Sequence, residues 1–174
     1  QNGDSEWFLN EIMKNALQQN YNLNISGGSK NSTYMISGGY YDQESNFVGA
    51  DYGVKRYNFR TNMSTEYQRL KLSTSMAYVR TDGTDHTTSS GTLIVDASRI
   101  PVYNTYSMKD ANGRYLVNDV LSEFNPLGIL EAGGKTWKDE DNFTGSVNAD
   151  LDIIDGLKLR GVFGGDLRSN HRLI

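Results

Sequence analysis

Hydrophobic and polar residues alternate with a period of two over most of the chain. Residues 19–27 show the pattern most clearly, because Tyr21, Leu23 and Ile25 alternate with asparagine and serine. Such alternation predicts a strand with one apolar and one polar face. The pattern occurs six times, at 19–27, 32–41, 57–65, 70–80, 142–152 and 157–166. Each stretch has about 9–11 residues, the length with which a tilted strand crosses a bilayer.

The connections between the predicted strands alternate in length. Short connections lie at 27–31, 66–69 and 154–156, and long ones at 42–56 and 81–141. Outer-membrane barrels have short periplasmic turns and long extracellular loops. Aromatic residues cluster at the strand ends beside the long connections, where a girdle of aromatic rings meets lipid headgroups.

These patterns predict an all-β chain that forms a segment of an antiparallel transmembrane β-barrel with long extracellular loops. The expected organisation is an extracellular segment with a short helix at 1–18, four strands at 19–80 with a loop at 42–56, a long extracellular loop at 81–141, and two strands with the start of the next loop at 142–174.

The first eighteen residues do not follow the strand pattern. Their apolar residues have the spacing of a short amphipathic helix that begins near Asp4 or Ser5. These residues are Trp7, Phe8, Ile12, Met13 and Leu17. The helix is expected on the extracellular side, and packing beneath a loop is an equally good expectation.

Composition excludes several classes of protein. The chain has 174 residues and no cysteine, so disulfides and thiolate catalysis are excluded. The net charge is −4 and no basic stripe is present, which argues against nucleic acid as a partner. The two histidines, His86 and His171, lie in a polar loop and near the end of the chain. No catalytic constellation and no metal-ligand spacing stands out, so we expect no enzyme activity, no metal and no cofactor.

Several segments resemble one protein family in order and with ordinary spacing. Residues 19–28 (QNYNLNISGG), 33–44 (TYMISGGYYDQE) and 56–62 (RYNFRTN) are similar to motifs of the SusC/RagA family of TonB-dependent outer-membrane transporters. The segments 101–103 (PVY), 110–115 (DANGRY), 125–127 (NPL) and 153–158 (IIDGLK) resemble its long extracellular loop and the next periplasmic turn. The resemblance covers about residues 5–166.

The resemblance implies a plugged barrel of about 22 strands. It further implies import of glycans, oligosaccharides or peptides, energy from the TonB complex, and a SusD-like surface lipoprotein that covers the extracellular face. The chain has only six predicted strands, which would leave two open edges in lipid. It is therefore expected to be an excerpt of a longer outer-membrane protein.

Two groups of residues are candidates for functional contacts. Aromatic residues of the long loop are expected to stack on substrate, to pack the loop or to contact the lid; they are Tyr103, Tyr106, Tyr115 and Trp137. The polar phase of the strands is expected to face the lumen, because a charge at the lipid midplane costs about 2–4 kcal/mol. This lumen-facing group includes Asn58, Arg60, Asn62, Asn148, Asp150 and Arg160.

Two alternatives remain open from the sequence. A soluble β-rich carbohydrate-binding or adhesin module would bury the apolar faces inside a sandwich. A small self-contained outer-membrane barrel would need two more strands, for which 92–97 and 114–120 are the candidates.

Overall fold

The computed structural model describes residues 7–49, 51–98, 108–115 and 125–174. In chain order its elements are α1 (Trp7–Ile12), β1 (Gln18–Gly28), β2 (Ser32–Glu44), β3 (Gly53–Tyr67), β4 (Leu70–His86), α2 (Ser90–Ser98), α3 (Pro126–Ala132), β5 (Lys135–Ile154) and β6 (Leu157–Leu173). The six strands form one antiparallel sheet in the order β1-β2-β3-β4-β5-β6. The predicted all-β, antiparallel fold is confirmed. Among the described residues, no helix has the length and apolarity needed to cross a membrane.

Most strands extend beyond the stretches that hydrophobic alternation marks. The strands range from 11 residues in β1 to 20 in β5. Strands β4 and β5 stay paired as far as His86 and Lys135, so the long connection between them runs from 87 to 134 and not from 81 to 141. Residues 81–86 and 135–141 are largely polar on both faces, and no hydrophobic alternation marks them. Backbone hydrogen bonds continue there nevertheless, because they do not depend on side-chain polarity.

One candidate strand of the small-barrel alternative is helical. Residues 92–97 lie within α2, so the expectation of a strand there is wrong. Leu93 and Ala97 are four residues apart, share one side of the helix and are fully buried. Ser89 precedes the helix, and its Oγ accepts a hydrogen bond from the Thr92 amide at 3.1 Å. This contact satisfies one amide of the first turn. Of the other candidate strand, 116–120 lies outside the described residues.

The register of the sheet separates two continuous faces. Residues directly opposite each other on antiparallel neighbours share a face. One row joins Leu23, Gly38, Phe59, Tyr78, Phe143 and Leu167 across all six strands. The face that carries this row is called the apolar face, and the opposite one the polar face. The upper end of the sheet is the end that bears the long connections.

The buried apolar core of the described residues lies in the connections. Its members are Ile12, Phe47, Tyr52, Leu93, Ala97, Met108, Leu127 and Leu130, which we call the loop core. They come from α1, the 45–52 connection, residue 108, α2 and α3. The Val48 amide donates to the Ile12 carbonyl at 2.9 Å, and the Tyr52 hydroxyl donates to the Leu130 carbonyl at 2.7 Å. The long connections therefore fold against one another at the upper end of the sheet.

Asn125 ties two parts of the loop core together. Its Oδ1 accepts from the Gly128 amide at 3.0 Å and caps the N-terminus of α3. Its Nδ2 donates to the carbonyl of Met108 at 2.7 Å. Pro126 follows in the first turn, where its missing N–H leaves no unsatisfied donor. The NPL segment thus starts a helix and anchors residue 108 with the same side chain.

Gly49 is the tightest point in the packing of the 45–52 connection. Its φ is +112°, and a Cβ there would lie 2.5 Å from the carbonyl oxygen of Leu130. Gly113 also has a positive φ, of +77°, but a Cβ there would meet no heavy atom within 4 Å. Comparison of substitutions at these two glycines therefore separates the effect of backbone strain from the effect of steric conflict.

We expect Gly49→Ala to loosen the loop core, because it adds a clash with Leu130 to a strained φ. Strain alone, as in Gly113→Ala, costs about 1–3 kcal/mol. Limited proteolysis of the full protein measures the effect: cleavage within 45–52 and 87–134 should rise sharply in Gly49→Ala and much less in Gly113→Ala. Equal cleavage of the two variants would contradict the packing role of Gly49.

Candidate functional site

The polar face brings together all six residues that the sequence assigns to the lumen. The pairings Asn62–Ser75, Ser73–Asn148 and Asp150–Arg160 fix the shared face from β3 to β6. The six residues are Asn58, Arg60 and Asn62 on β3, Asn148 and Asp150 on β5, and Arg160 on β6. Sequence periodicity and strand register therefore place the same six residues on the polar face.

Ion pairs occupy the lower end of the polar face. Arg160 Nε donates to Asp150 Oδ1 at 2.6 Å, and Lys158 Nζ lies 3.2 Å from Asp152 Oδ1. The side chains of Arg160 and Lys158 are mostly exposed. Exposed pairs of this kind contribute little to stability, because water screens them. Their effect is to offer both signs of charge to whatever covers this face.

Uncharged hydrogen-bonding groups dominate the middle of the face. Ser75 Oγ donates to Asn62 Oδ1 at 2.7 Å, and the hydroxyls of Ser64 and Ser73 are 3.2 Å apart. Hydroxyl and amide groups both donate and accept, so they suit the hydroxyls of a sugar and the backbone of a peptide equally.

A glycine leaves room for the side chains of two asparagines higher on the same face. Gly39 lies between Asn22 on β1 and Asn58 on β3. A Cβ at Gly39 would lie 2.6 Å from Asn22 Oδ1 and 2.6 Å from Asn58 Nδ2. Without a side chain at residue 39, both amide groups extend over the backbone of β2.

A cavity of about 400 Å³ lies where the polar face meets the loop core. Its strand residues include Gln43, Gly83, Asp85 and Lys138, and Phe47 contributes from the 45–52 connection. Glu44 and Ser45 add further oxygen atoms to the wall. Charges of both signs therefore surround the opening. Sequence reasoning missed this cavity, because its walls come from segments far apart in the chain that no motif links.

His86 supports this cavity from within the loop core. Its side chain is 2% exposed, and its ring contacts Phe47 and Tyr52 edge-on at centroid distances of 5.3 and 5.7 Å. Nδ1 is hydrogen-bonded to the carbonyl of Thr88, and Nε2 lies 3.4 Å from Asp85 Oδ1. Nε2 makes no hydrogen bond within the described part of the chain, and the contacts with Phe47 and Tyr52 give His86 a packing role. Among the described residues, no cluster of acidic or histidine side chains has the arrangement of a metal site.

Tyr115 is built into the loop. Its hydroxyl donates to Glu131 Oε2 at 3.0 Å, and Lys109 Nζ lies 5.1 Å from its ring centroid. Lys109 is also paired with Glu131, so one carboxylate holds both side chains. The hydrogen bond from Lys109 lowers the pKa of Glu131, and the same contact raises the pKa of Lys109. Burial and the bond to Glu131 raise the pKa of Tyr115.

The other aromatic candidates lie elsewhere. Trp137, which the sequence places in the long loop, lies on β5 opposite Thr84 and Leu173, and its side is that of the apolar face. It is 46% exposed. Tyr103 and Tyr106 lie outside the described residues. The structure therefore does not bring Trp137 and Tyr115 to one surface with the lumen-facing group.

We expect the Lys109–Glu131 contact to weaken at both ends of the pH range. The lowered pKa of Glu131 gives stability that is complete above its ordinary value of 4.5 and lost as the pH falls through the lower folded value. The raised pKa of Lys109 gives stability that is complete below 10.5 and lost as the pH rises through the higher folded value.

Hydrogen exchange of segments 108–115 and 126–132 in the full protein measures this effect. The protection factors, which correct for the pH dependence of the intrinsic exchange rate, should fall on acidification below the ordinary pKa of glutamate. Glu131→Gln should exchange faster at neutral pH and lose the acid dependence, whereas Glu66→Gln, near the lower end of β3, should behave as wild type. An unchanged acid dependence in Glu131→Gln would rule out this carboxylate as its cause.

Comparison with known proteins gives relatives in sequence and in fold. TonB-dependent receptor P3 from Formosa agariphila is 25% identical over 170 residues, which cover 92% of this chain and 16% of that receptor. The RagAB peptide importer in its closed-closed state matches 95% of this chain and 19% of that one, with a TM-score of 0.73 and 22% identity. The open-open state matches the same shares, with a TM-score of 0.68 and 24% identity. No protein-family model matches the chain.

The chain spans less than one fifth of the length of these relatives. Its sheet shares the fold of the part of the RagAB chains that it matches. The resemblance to the SusC/RagA type of TonB-dependent transporter is thus confirmed, in sequence by a TonB-dependent receptor and in fold by RagAB.

Proposed function

We propose that the chain forms part of the barrel wall of a TonB-dependent outer-membrane transporter that imports oligomeric nutrients. The observation that carries this proposal is the apolar face, which continues in one phase across all six strands. Its side chains are exposed, with Leu23 at 67% and Phe163 at 80%. A surface of this size needs a cover, and a bilayer covers it without a second sheet.

The height of the apolar face supports a membrane over a sandwich. On β3 this face begins at Tyr57 and ends at Tyr67, ten residues later. Ten residues extend about 33 Å along a strand, or about 25 Å along the membrane normal at the usual tilt of 35–45°. Tyrosine at both ends matches aromatic girdles at both interfaces.

The upper girdle is an ordered row. The rings of Tyr21 and Tyr40 stack at 6.4 Å, and those of Tyr40 and Tyr57 lie 5.2 Å apart. The Tyr40 hydroxyl donates to Asp42 at 2.9 Å, and the Tyr78 hydroxyl to Asp141 at 2.6 Å. Charged residues therefore lie directly beside the tyrosine hydroxyls at the upper end of the apolar face, as expected at a headgroup boundary.

The substrate is proposed to pass the polar face and the cavity beneath the loop core. The lumen-facing group and the cavity offer amides, hydroxyls and both signs of charge. This mixture suits a peptide, which carries amides and both charges, and RagAB is a peptide importer. Oligosaccharide is the other candidate, because hydroxyls find the same partners. Tyr103 and Tyr106 stay candidates for substrate contact; Tyr115 is committed to Glu131, and Trp137 lies on the outer side.

A SusD-like surface lipoprotein is the proposed partner at the upper end. Helix α2 buries Leu93 and Ala97 in the loop core, while Ile94 and Val95 remain 41% and 45% exposed. This exposed pair at the top of the wall suits an apolar contact with a lid. The TonB complex is proposed to act through parts of the full protein outside this chain.

Substitution of adjacent residues on β5 tests the wall. Val147 lies on the apolar face and Asn148 on the polar face. Val147→Lys should reduce the stability of the membrane-inserted full protein by about 2–4 kcal/mol, whereas Asn148→Lys should be tolerated. The amount of heat-modifiable, folded protein in isolated outer membranes measures both. Equal tolerance of the two variants would refute the assignment of the faces.

Uptake by living cells tests the transport function. Cells that lack the full protein should lose growth on the peptide or oligosaccharide that it imports, and the wild-type gene should restore it. Restoration should also require an intact TonB complex. Cells are offered defined peptide pools or oligosaccharide pools as limiting nutrient. Unimpaired growth on every pool would contradict the proposal.

A further inference from the structure

The polar face of β3 carries two arginines without an acidic partner. Arg56 and Arg60 are exposed and lie four residues apart, about 13 Å along the strand. Within the described part of the chain, no carboxylate is paired with either guanidinium. By contrast, Arg160 and Arg168 on β6 each have a carboxylate partner.

The strands beside this pair add little charge on the same face. The polar-face residues of β1 and β2 include no charged side chain. On β3 the next charge is Glu66, six residues below Arg60, or about 20 Å along the strand. On β4 the charged residues of this face are Lys71 and Asp85, near the two ends of the strand. The two arginines therefore make the polar face of β1 to β3 positive over most of its height.

The other charges near this height are paired, distant or on the opposite face. Glu140 lies on β5, two strands from Arg56, and its carboxylate is 3.6 Å from Arg168. The two nearest rows of the apolar face contain charged residues on the far side of the sheet: Asp42, Lys55, Arg80, Asp82, Asp139 and Asp141. Because β3 is an interior strand, a strand added at either edge of the sheet would be at least about 14 Å away.

Tyr41 orients the guanidinium of Arg56. The two residues lie directly opposite each other on β2 and β3, and Arg56 Cζ is 5.2 Å from the centroid of the Tyr41 ring. The Tyr41 hydroxyl donates to Gln43 Oε1, which holds the ring in place. A guanidinium that stacks through its face keeps its N–H groups free at the edge, where a carboxylate can accept two hydrogen bonds.

The pair lies directly below the cavity beneath the loop core. Gln43 and Val54 line that cavity, and they are the next polar-face residues above Tyr41 and Arg56. The charged residues of the cavity wall are of both signs: Glu44, Asp85 and Lys138. A ligand that leaves the cavity along β3 therefore passes from mixed charge to two successive cations.

The spacing of the two arginines fits an extended peptide. A peptide in this conformation has the same rise per residue as β3, so two acidic side chains four residues apart are also about 13 Å apart. Asn58 lies between the arginines, and the side chain of Asn22 approaches it over Gly39. A side-chain amide donates and accepts in one plane, so it can bind the N–H and the carbonyl of a peptide backbone.

We propose that Arg56 and Arg60 form a carboxylate-binding site that selects acidic peptides as substrates. Arg56 meets the substrate first, below the cavity, and Arg60 binds a second carboxylate further down. The proposal rests on the proposed function, because it requires the polar face to line the path of the substrate. The asparagines between the cations favour a peptide over an acidic oligosaccharide, and the cavity directly above favours a substrate over another segment of the full protein.

Binding of defined peptides to the purified full protein tests this site. The probe is a nine-residue peptide of alanine and serine with two aspartates four residues apart, and its analogue has two asparagines instead. Both are acetylated and amidated, so that neither has terminal charges. Isothermal titration calorimetry measures the affinity of each peptide for wild type, Arg56→Gln, Arg60→Gln and Lys55→Gln. Lys55 is the matched control, because it is the neighbour of Arg56 on the opposite face.

Wild type should bind the aspartate peptide more tightly than the asparagine peptide. Arg56→Gln and Arg60→Gln should each weaken binding of the aspartate peptide about tenfold, as expected for the loss of one charge-assisted contact. Neither variant should change the affinity for the asparagine peptide, and Lys55→Gln should change neither affinity. Equal affinities of the two peptides for wild type would overturn the proposal, as would an equal loss in Lys55→Gln.

Two further results would assign the arginines to another occupant and also overturn the proposal. Binding of an oligogalacturonate, with no binding of either peptide, would assign them to acidic oligosaccharides. A lower melting temperature of Arg56→Gln and Arg60→Gln, with unchanged discrimination between the peptides, would assign them to contacts within the full protein.

Uptake by living cells separates this proposal from the proposed function. If wild-type protein is absent from the outer membrane, or if its loss impairs growth on no nutrient pool, the proposed function fails. If wild type assembles and supports uptake but does not prefer the aspartate peptide, the arginine proposal fails alone.

Discussion

The register of hydrogen bonds between strands is the constraint on which the rest of the structure depends. Side chains alternate faces at every residue, so a slip of one residue in any pair would move a whole strand to the wrong face. Four of the five pairings run without a shift, and the fifth has one between Asp152 and Ile154, beside the lower turn. The apolar face stays in phase because the irregularity comes where the strand is ending.

The six-stranded sheet and the connections are stabilised in different ways. Within the described residues, backbone pairing holds the strands of the sheet together, and the side chains of its apolar face remain exposed. The loop core has the ordinary stabilisation of a small globular unit, with Ile12, Leu93, Met108 and Leu130 almost fully buried. Long connections stay ordered only when they carry such a core. This explains why α1, far from α3 in sequence, packs beside it.

Sequence patterns predict the sheet well because the two faces of each strand have different surroundings. The side chains therefore alternate between apolar and polar along the strand. Tyr57 to Tyr67 alternate in step with the face they occupy, and the lumen-facing group follows from the same phase. The upper ends of β4 and β5 escape prediction because both of their faces are largely polar. The segment 92–97 escapes it because Leu93 and Ala97 are buried by distant residues, and a short apolar stretch has no distinct period. The position of Trp137 depends on where β5 begins. Because the first residues of β5 are mostly polar, no hydrophobic alternation indicates that the strand begins there.

Aromatic residues in a long loop illustrate why composition alone does not assign a binding site. Tyr115 has the type of side chain that stacks on a sugar, yet its hydroxyl is bound to Glu131 and its ring packs against Gly128. Tyr52 likewise gives its hydroxyl to the Leu130 carbonyl. A loop that must build its own core uses its aromatic residues for that purpose first. The amides, hydroxyls and charges that line the polar face and the cavity above it are not members of the loop core. These are therefore the groups that we propose for contact with a substrate.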